Sequence, residues 1–178
     1  YPSMVPSNSF FTFATLPLPA GLKGLRVYHS NPKSPASVPT KLLFEKGDTR
    51  LQDRLLGKVF TYDADSFFQV NVPAFEQALA AIQKHLDSPT VTDMYAGVGS
   101  IGLSVAARQT RMIELDPATA AMARLNAAAS GLDAQVIEAS TEKATGYITC
   151  DGPIIFDPPR AGLHNKVVEA LLAILPPQ

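Results

Sequence analysis

Apolar and polar positions follow one pattern up to about residue 70 and another beyond it. Upstream, short apolar clusters stand between turn-rich stretches. Phe10-Phe11-Thr12-Phe13, Leu25-Arg26-Val27-Tyr28, Lys41-Leu42-Leu43-Phe44 and Lys58-Val59-Phe60-Thr61-Tyr62 carry the β-branched and aromatic residues of strands. Ser30-Asn31-Pro32-Lys33-Ser34-Pro35 and Glu45-Lys46-Gly47-Asp48 carry the residues of turns. A small β-rich, antiparallel segment over residues 1–70 is expected, with little core of its own.

Downstream, strand and helix patterns alternate. Asn71 is placed to cap a helix with Pro73 in its first turn. Phe75, Leu79, Ile82 and Leu86 then fall on one helical face. Val91-Thr92-Asp93-Met94-Tyr95 reads as a strand, followed by a glycine-rich turn and a short helix through Ala107. Arg111-Met112-Ile113-Glu114-Leu115 reads as the next strand. Asp116 and Pro117 open a helix that Ser130-Gly131 closes. Ala134–Glu138 and Ile154–Asp157 are further strands, and Val167, Val168, Leu171, Leu172 and Leu175 mark a last helix. Such alternation predicts a doubly wound α/β domain over residues 71–178, its sheet parallel and its crossovers right-handed.

Composition narrows the function classes. With 178 residues, 46% of them hydrophobic, the chain can build a core, which excludes global disorder. No apolar run reaches the ~20 residues of a membrane helix, and no basic-then-apolar leader stands at the N-terminus. A cytoplasmic protein without a membrane partner is expected. The first residue is Tyr1 rather than Met, which suggests a processed chain or part of a longer one. One cysteine, Cys150, excludes an internal disulfide framework and a cysteine-rich metal centre, and no metal site is expected. Cys150 itself reads as a small filler at a strand edge. Residues 1–60 hold eight Lys/Arg against three Asp/Glu, and the remainder seven against thirteen. That asymmetry weakly suggests that the N-terminal part faces a polyanion.

Two motifs carry the chemistry. Gly97-Val98-Gly99-Ser100-Ile101-Gly102 matches G-x-G-x-x-G between a strand and a helix, where glycines let the backbone turn tightly and approach a ligand. Seventeen residues after Gly97, Glu114 ends the next strand, where a carboxylate can accept both hydroxyls of an adenosine ribose. Asp116 competes for that role but is explained as a helix cap. A dinucleotide and S-adenosylmethionine both fit this pair of features. The second motif, Ile154-Ile155-Phe156-Asp157-Pro158-Pro159-Arg160-Ala161-Gly162-Leu163, favours the methyl donor. An acid before two prolines at a strand end suits a base-modifying methyltransferase and has no evident use in a dehydrogenase.

Asp65-Ser66-Phe67-Phe68-Gln69-Val70-Asn71, Asp93-Met94-Tyr95-Ala96-Gly97 through Leu103, Ile113-Glu114-Leu115-Asp116-Pro117 and Asp157-Pro158-Pro159-Arg160-Ala161-Gly162-Leu163 occur in one order. With Asn31-Pro32 and Leu55-Leu56-Gly57, they make the chain from about residue 24 onward resemble the S-adenosylmethionine-dependent RNA uracil-C5 methyltransferases, which form 5-methyluridine in tRNA or ribosomal RNA. The resemblance implies a Rossmann-like methyltransferase sheet, incomplete at its C-terminal end, preceded by the β-rich, RNA-facing segment.

It also implies site roles. Gln69, Tyr95, Gly97, Gly99 and Ser100 would contact the cofactor, Ser100 standing where Asn is common. Glu114 would hold the ribose, and Asp157 would lie beside the methionine end and the target base. Ser140 would lie near the adenine, although a plain loop residue explains it as well, and Arg160 would meet RNA phosphate or a surface acid. The family's chemistry adds a cysteine thiolate to uracil C6, so that C5 can attack the donor methyl, and then uses a general base to remove the C5 proton. The nucleophile lies in a Ser-Cys-Asn-Pro-like motif and the base is a later Glu, both expected beyond Gln178. Cys150 does not match that position. No catalytic residue is therefore expected in this chain, and the segment alone should be inactive. Two other readings stand beside this one. An amino methyltransferase acting on adenine or guanine would place an aromatic residue where Arg160 stands. A binding module would have lost its chemistry. The residues do not indicate an oligomeric state.

Overall fold

A computed structural model describes Thr15 and residues 17–30 and 39–174. The expected strand at Phe10–Phe13, the turn and motif residues Asn31–Pro35, and Leu175 lie outside the described residues. The chain divides into two compact units, Tyr1–Arg50 and Leu51–Gln178.

In the first unit, β1 (Gly24–Ser30) pairs antiparallel with β2 (Pro39–Gly47). The register slips between Val27, opposite Phe44, and Tyr28, opposite Leu42, which marks a bulge. Arg26 and Glu45 face each other across the ladder, and their side chains pair at 2.7 Å.

The second unit opens with a hairpin of β3 (Arg50–Leu55) and β4 (Lys58–Asp63). Leu56 and Gly57 form its two-residue turn with φ of 49° and 79°, the paired positive values that suit the twist of a tight hairpin. Its division from the first unit falls twenty residues before the expected boundary at residue 70. The reason is packing: Leu55 and Phe60 are buried in the same cluster as Leu79, Val91, Leu103 and Met112. β3 itself was not expected, because R-L-Q-D-R-L is exposed except at Leu55 and shows no apolar alternation.

Helix α1 (Val72–His85) starts where the pattern places it. The Asn71 side chain accepts the Ala74 N–H, and Pro73 occupies the first turn. Leu79 is buried, with Phe75, Ile82 and Leu86 against the same core. β5 (Thr90–Asp93), the short α2 (Gly102–Val105), β6 (Gln109–Glu114), α3 (Pro117–Ser130), β7 (Asp133–Glu138), β8 (Ile154–Ile155) and α4 (Asn165–Ile174) follow. Asp116 caps α3 by accepting the Thr119 N–H at 2.8 Å, and Gly131 ends it in the left-handed conformation, φ 73°.

The four strands β7-β6-β5-β8 form one parallel sheet. Neighbouring residues of β6 serve opposite faces. Met112 joins the cluster under α1, α2 and α3, while Ile113 joins Met94, Ala144, Ile148 and Val167 on the side of α4. The Rossmann-like α/β expectation thus holds, with three differences of extent. β5 stops at Asp93, Leu115 lies past β6, and β8 is only two residues long because two prolines follow within four positions. Cys150 is exposed in a turn rather than packed at a strand edge.

Candidate functional site

Between Asp93 and α2 the chain makes a tight turn in which the Gly99 N–H donates to the Ala96 carbonyl at 2.8 Å. Gly97 and Gly99 take φ of 56° and 87°. A Cβ on Gly99 would lie 2.9 Å from Leu103 Cδ1 and 3.0 Å from Met112 Sδ, so the position requires glycine for space as well as for conformation. With only four residues, α2 leaves most of its terminal groups unpaired within the helix.

Side chains from five other elements hold this segment and α2, Asn126 of α3 among them. Asp93 Oδ2 accepts the Gly102 N–H at 2.9 Å. Glu114 Oε2 accepts the Gly97 N–H at 2.9 Å, while its Oε1 accepts the Asp116 N–H at 2.8 Å. Lys58 Nζ donates to the Leu103 carbonyl at 2.6 Å, and Gln83 Nε2 to that of Ser104 at 3.0 Å. Asp93 is fully buried, and its Oδ1 has no hydrogen-bond partner. Burial pushes its pKa from 3.8 to about 7; the Gly102 and Tyr95 N–H groups oppose that rise, and the charges of Asp157 and Glu114 add to it.

A cavity of about 450 Å³ opens where the strands end. Each strand contributes through the residues at or just after its end: Tyr95 from β5, Glu114 and Leu115 from β6, Ser140 and Thr141 after β7, and the Pro159–His164 loop after β8. Strand order places β5, the first strand of this sheet, between β6 and β8, so the chain reverses direction across the sheet at this crevice. Leu115, 66% exposed, offers an apolar wall. Thr141 Oγ1 is committed to the Met94 carbonyl at 2.9 Å, whereas the buried Ser140 Oγ has no hydrogen-bond partner. The last loop is shaped by its prolines and by Gly162, φ 79°, whose N–H donates to the Pro159 carbonyl at 2.8 Å.

Of the expected site residues, Tyr95 and Glu114 line the cavity directly. Gly97 is tied to the cavity's carboxylate by its hydrogen bond, and Gly99 shapes the turn beside it. Ser100, Gln69 and Asp157 are not among the lining residues, and Asp157 is exposed where its loop begins. Gln69 is half-buried in a segment anchored by Phe68, which stacks on Tyr62 at 4.3 Å, while Phe67 and Val70 are 74% and 99% exposed. The sequence reading assigned no role to Asp93 or Asn126, although both are buried polar groups holding the glycine turn. Asp93 had a signal in its place at the head of the glycine motif. Among the described residues, no three His, Cys, Asp or Glu side chains cluster as a metal site, and no helix is long and apolar enough to cross a membrane.

No family model matches the chain. Curated relatives do. The mouse tRNA (uracil-5-)-methyltransferase homolog A is 33% identical over 150 residues, 78% of this chain and 24% of that protein. The tRNA (uracil(54)-C(5))-methyltransferase of Pyrococcus furiosus is 32% identical over 129 residues, 70% of this chain and 30% of that protein. Among solved structures, the Pyrococcus abyssi tRNA (uracil-54, C5)-methyltransferase in complex with S-adenosyl-L-homocysteine superposes with a TM-score of 0.68 at 27% identity, over 84% of this chain and 38% of that one. The chain is a partial member of the RNA uracil-C5 methyltransferase family. It spans between 24% and 32% of the length of the curated relatives it matches first. In this family member, Tyr95, Glu114, Leu115 and residues of the Pro159–Leu163 stretch, all within the motifs of the resemblance, line the cavity at the ends of β5, β6, β7 and β8.

Proposed function

We propose that the cavity binds S-adenosylmethionine and that the protein to which this chain belongs transfers the donor methyl to C5 of a uridine in tRNA or ribosomal RNA. The observation that carries the reading is the meeting of Glu114, Tyr95 and the Pro159–His164 loop around one cavity. Support also comes from the S-adenosyl-L-homocysteine bound in the Pyrococcus abyssi relative and from the uracil-5 activity named for the curated relatives.

The residues present fit the group. Each Glu114 oxygen already accepts one backbone N–H and keeps lone pairs for ribose hydroxyls. Ser140 lines the cavity with a buried hydroxyl, and Leu115 and Leu163 give the apolar surface an adenine needs. When bound, S-adenosylmethionine supplies an electrophilic methyl group. This chain's residues bind and orient: Glu114 holds the glycine turn and the ribose together, and Tyr95 walls the crevice, while Asp157 is exposed two residues before the cavity-lining Pro159. Cys150 is exposed and donates to the Ile174 carbonyl at 3.7 Å; it is not among the cavity's lining residues, so the reading assigns the nucleophile to another part of the longer protein. Gln69 and Ser100 are read as further donor contacts, the substrate as RNA, and the location as cytoplasmic.

RNA carrying [5-³H]uridine tests the reaction. The parent protein with S-adenosylmethionine is expected to release tritium as the C5 proton is replaced, and the isolated chain to release none. Methyl transfer by the parent to a base nitrogen, without tritium release, would overturn the uracil-C5 assignment in favour of an amino methyltransferase.

A further inference from the structure

Asn126 is one buried amide with three backbone hydrogen bonds to two segments far from it in sequence. Its Oδ1 accepts the Thr61 N–H at 2.8 Å, and its Nδ2 donates to the Thr61 carbonyl and to the Val98 carbonyl, each at 2.9 Å. The residue is 4% exposed and sits among the buried alanines Ala120, Ala123 and Ala127 of α3. Packing alone would be served by an apolar residue there, because burying an amide is costly unless its groups are paired. An amide offers two donors and an acceptor, and here both donors are used. Towards Thr61 it behaves as a neighbouring strand would, taking the N–H and giving to the C=O. The remaining donor goes to the carbonyl between Gly97 and Gly99, the stretch whose conformation the cavity depends on.

We propose that Asn126 is a positioning residue for the donor site, fixing the Val98 carbonyl, and through it the glycine turn, against β4. The inference rests on the S-adenosylmethionine reading above. β4 also leads, through Tyr62 and the Phe68 stacked on it, to the Gln69 segment. One side chain thus sets the glycine turn and the approach to Gln69 in a common frame. No local pattern in α3 signals this, since the partners lie 65 and 28 residues away.

S-adenosylhomocysteine titrated into the intact chain tests it, with wild type, Asn126→Ala and Asn126→Asp compared and thermal midpoints recorded in parallel. Asn126→Ala is expected to weaken binding by the folded protein about tenfold, the scale of one lost hydrogen bond in a buried setting. Asn126→Asp presents a carboxylate to two carbonyls at pH 8. Protonation restores one donor, so its affinity relative to wild type should recover between pH 8 and pH 5.5. A lowered midpoint with unchanged affinity in both variants would overturn the inference, leaving Asn126 as a mere dock between α3 and β4. Failure of the wild type to bind would instead remove the donor reading beneath it. If both variants fail to fold, hydrogen exchange on the wild type decides: protection of the Thr61 and Gly99 amides should rise together with ligand, and an unchanged Thr61 amide overturns the proposal.

Discussion

Replacing Asp93 by Asn should change how stability depends on pH while leaving the fold intact. Asp93 is fully buried, and its pKa rises from 3.8 to about 7, chiefly through burial. Between those values the native state holds a proton that the unfolded chain has already lost. The stabilisation is therefore fully present below pH ~4, falls as pH rises, and is gone above pH ~7. Each unit of pKa difference is worth about 1.4 kcal/mol, so a gap of roughly three units sets a scale of about 4 kcal/mol. Asparagine keeps an oxygen for the Gly102 N–H, which Asp93 Oδ2 accepts at 2.9 Å, and does not titrate. At pH 4.5 the two proteins should differ least, the variant leading by only about 1 kcal/mol. At pH 8.5 the variant should be the more stable, by about 10 °C in thermal midpoint for a chain of this size. Differential scanning calorimetry from pH 4.5 to 8.5 reads the difference, and other carboxylates cancel in the comparison. Parallel curves for the two proteins would refute the reasoning, since they would mean that Asp93 is charged in the native state throughout.

Gly99→Ala should lower stability by about 2 kcal/mol or more, because the new methyl meets Leu103 and Met112 at a positive φ; chemical denaturation measures it. Asp116→Ala removes the cap on α3 and should cost about 1 kcal/mol by the same assay, with no change in S-adenosylhomocysteine affinity. Leu79→Ala opens a hole between α1 and the sheet and should cost about 2–5 kcal/mol, seen as a lower midpoint in urea.

The fold was legible wherever its signals are local. Asn71 with Pro73, and Asp116 with Pro117 and Gly131, mark helix ends through hydrogen bonds made within three residues, and such bonds leave their donors and acceptors in the sequence. The alternation of strand and helix gave the parallel sheet for the same reason. β3 stayed hidden because its residues are exposed and polar, and its pairing is decided by the turn at Leu56-Gly57 and by the burial of Leu55. The hairpin's tie to the residues after it runs through Phe60 in the core and through the Asn126 amide of α3, contacts no local pattern records. In the site, Glu114 was readable as an acid closing a strand. That it also holds the Gly97 N–H was not, since the bond exists only once β5 and β6 lie side by side. Asp157 was placed by its motif beside the donor, yet its side chain is exposed where the loop begins, and the cavity wall starts at Pro159.

The central claim is that Glu114 anchors a sulfonium nucleoside in the cavity at the strand ends. Calorimetric titration of the intact chain with S-adenosylhomocysteine tests it most directly. One site is expected, and Glu114→Ala should weaken it by about 1–3 kcal/mol, the loss of charge-assisted hydrogen bonds to the ribose. Equal affinity in the two proteins, or no binding by either, would contradict the account.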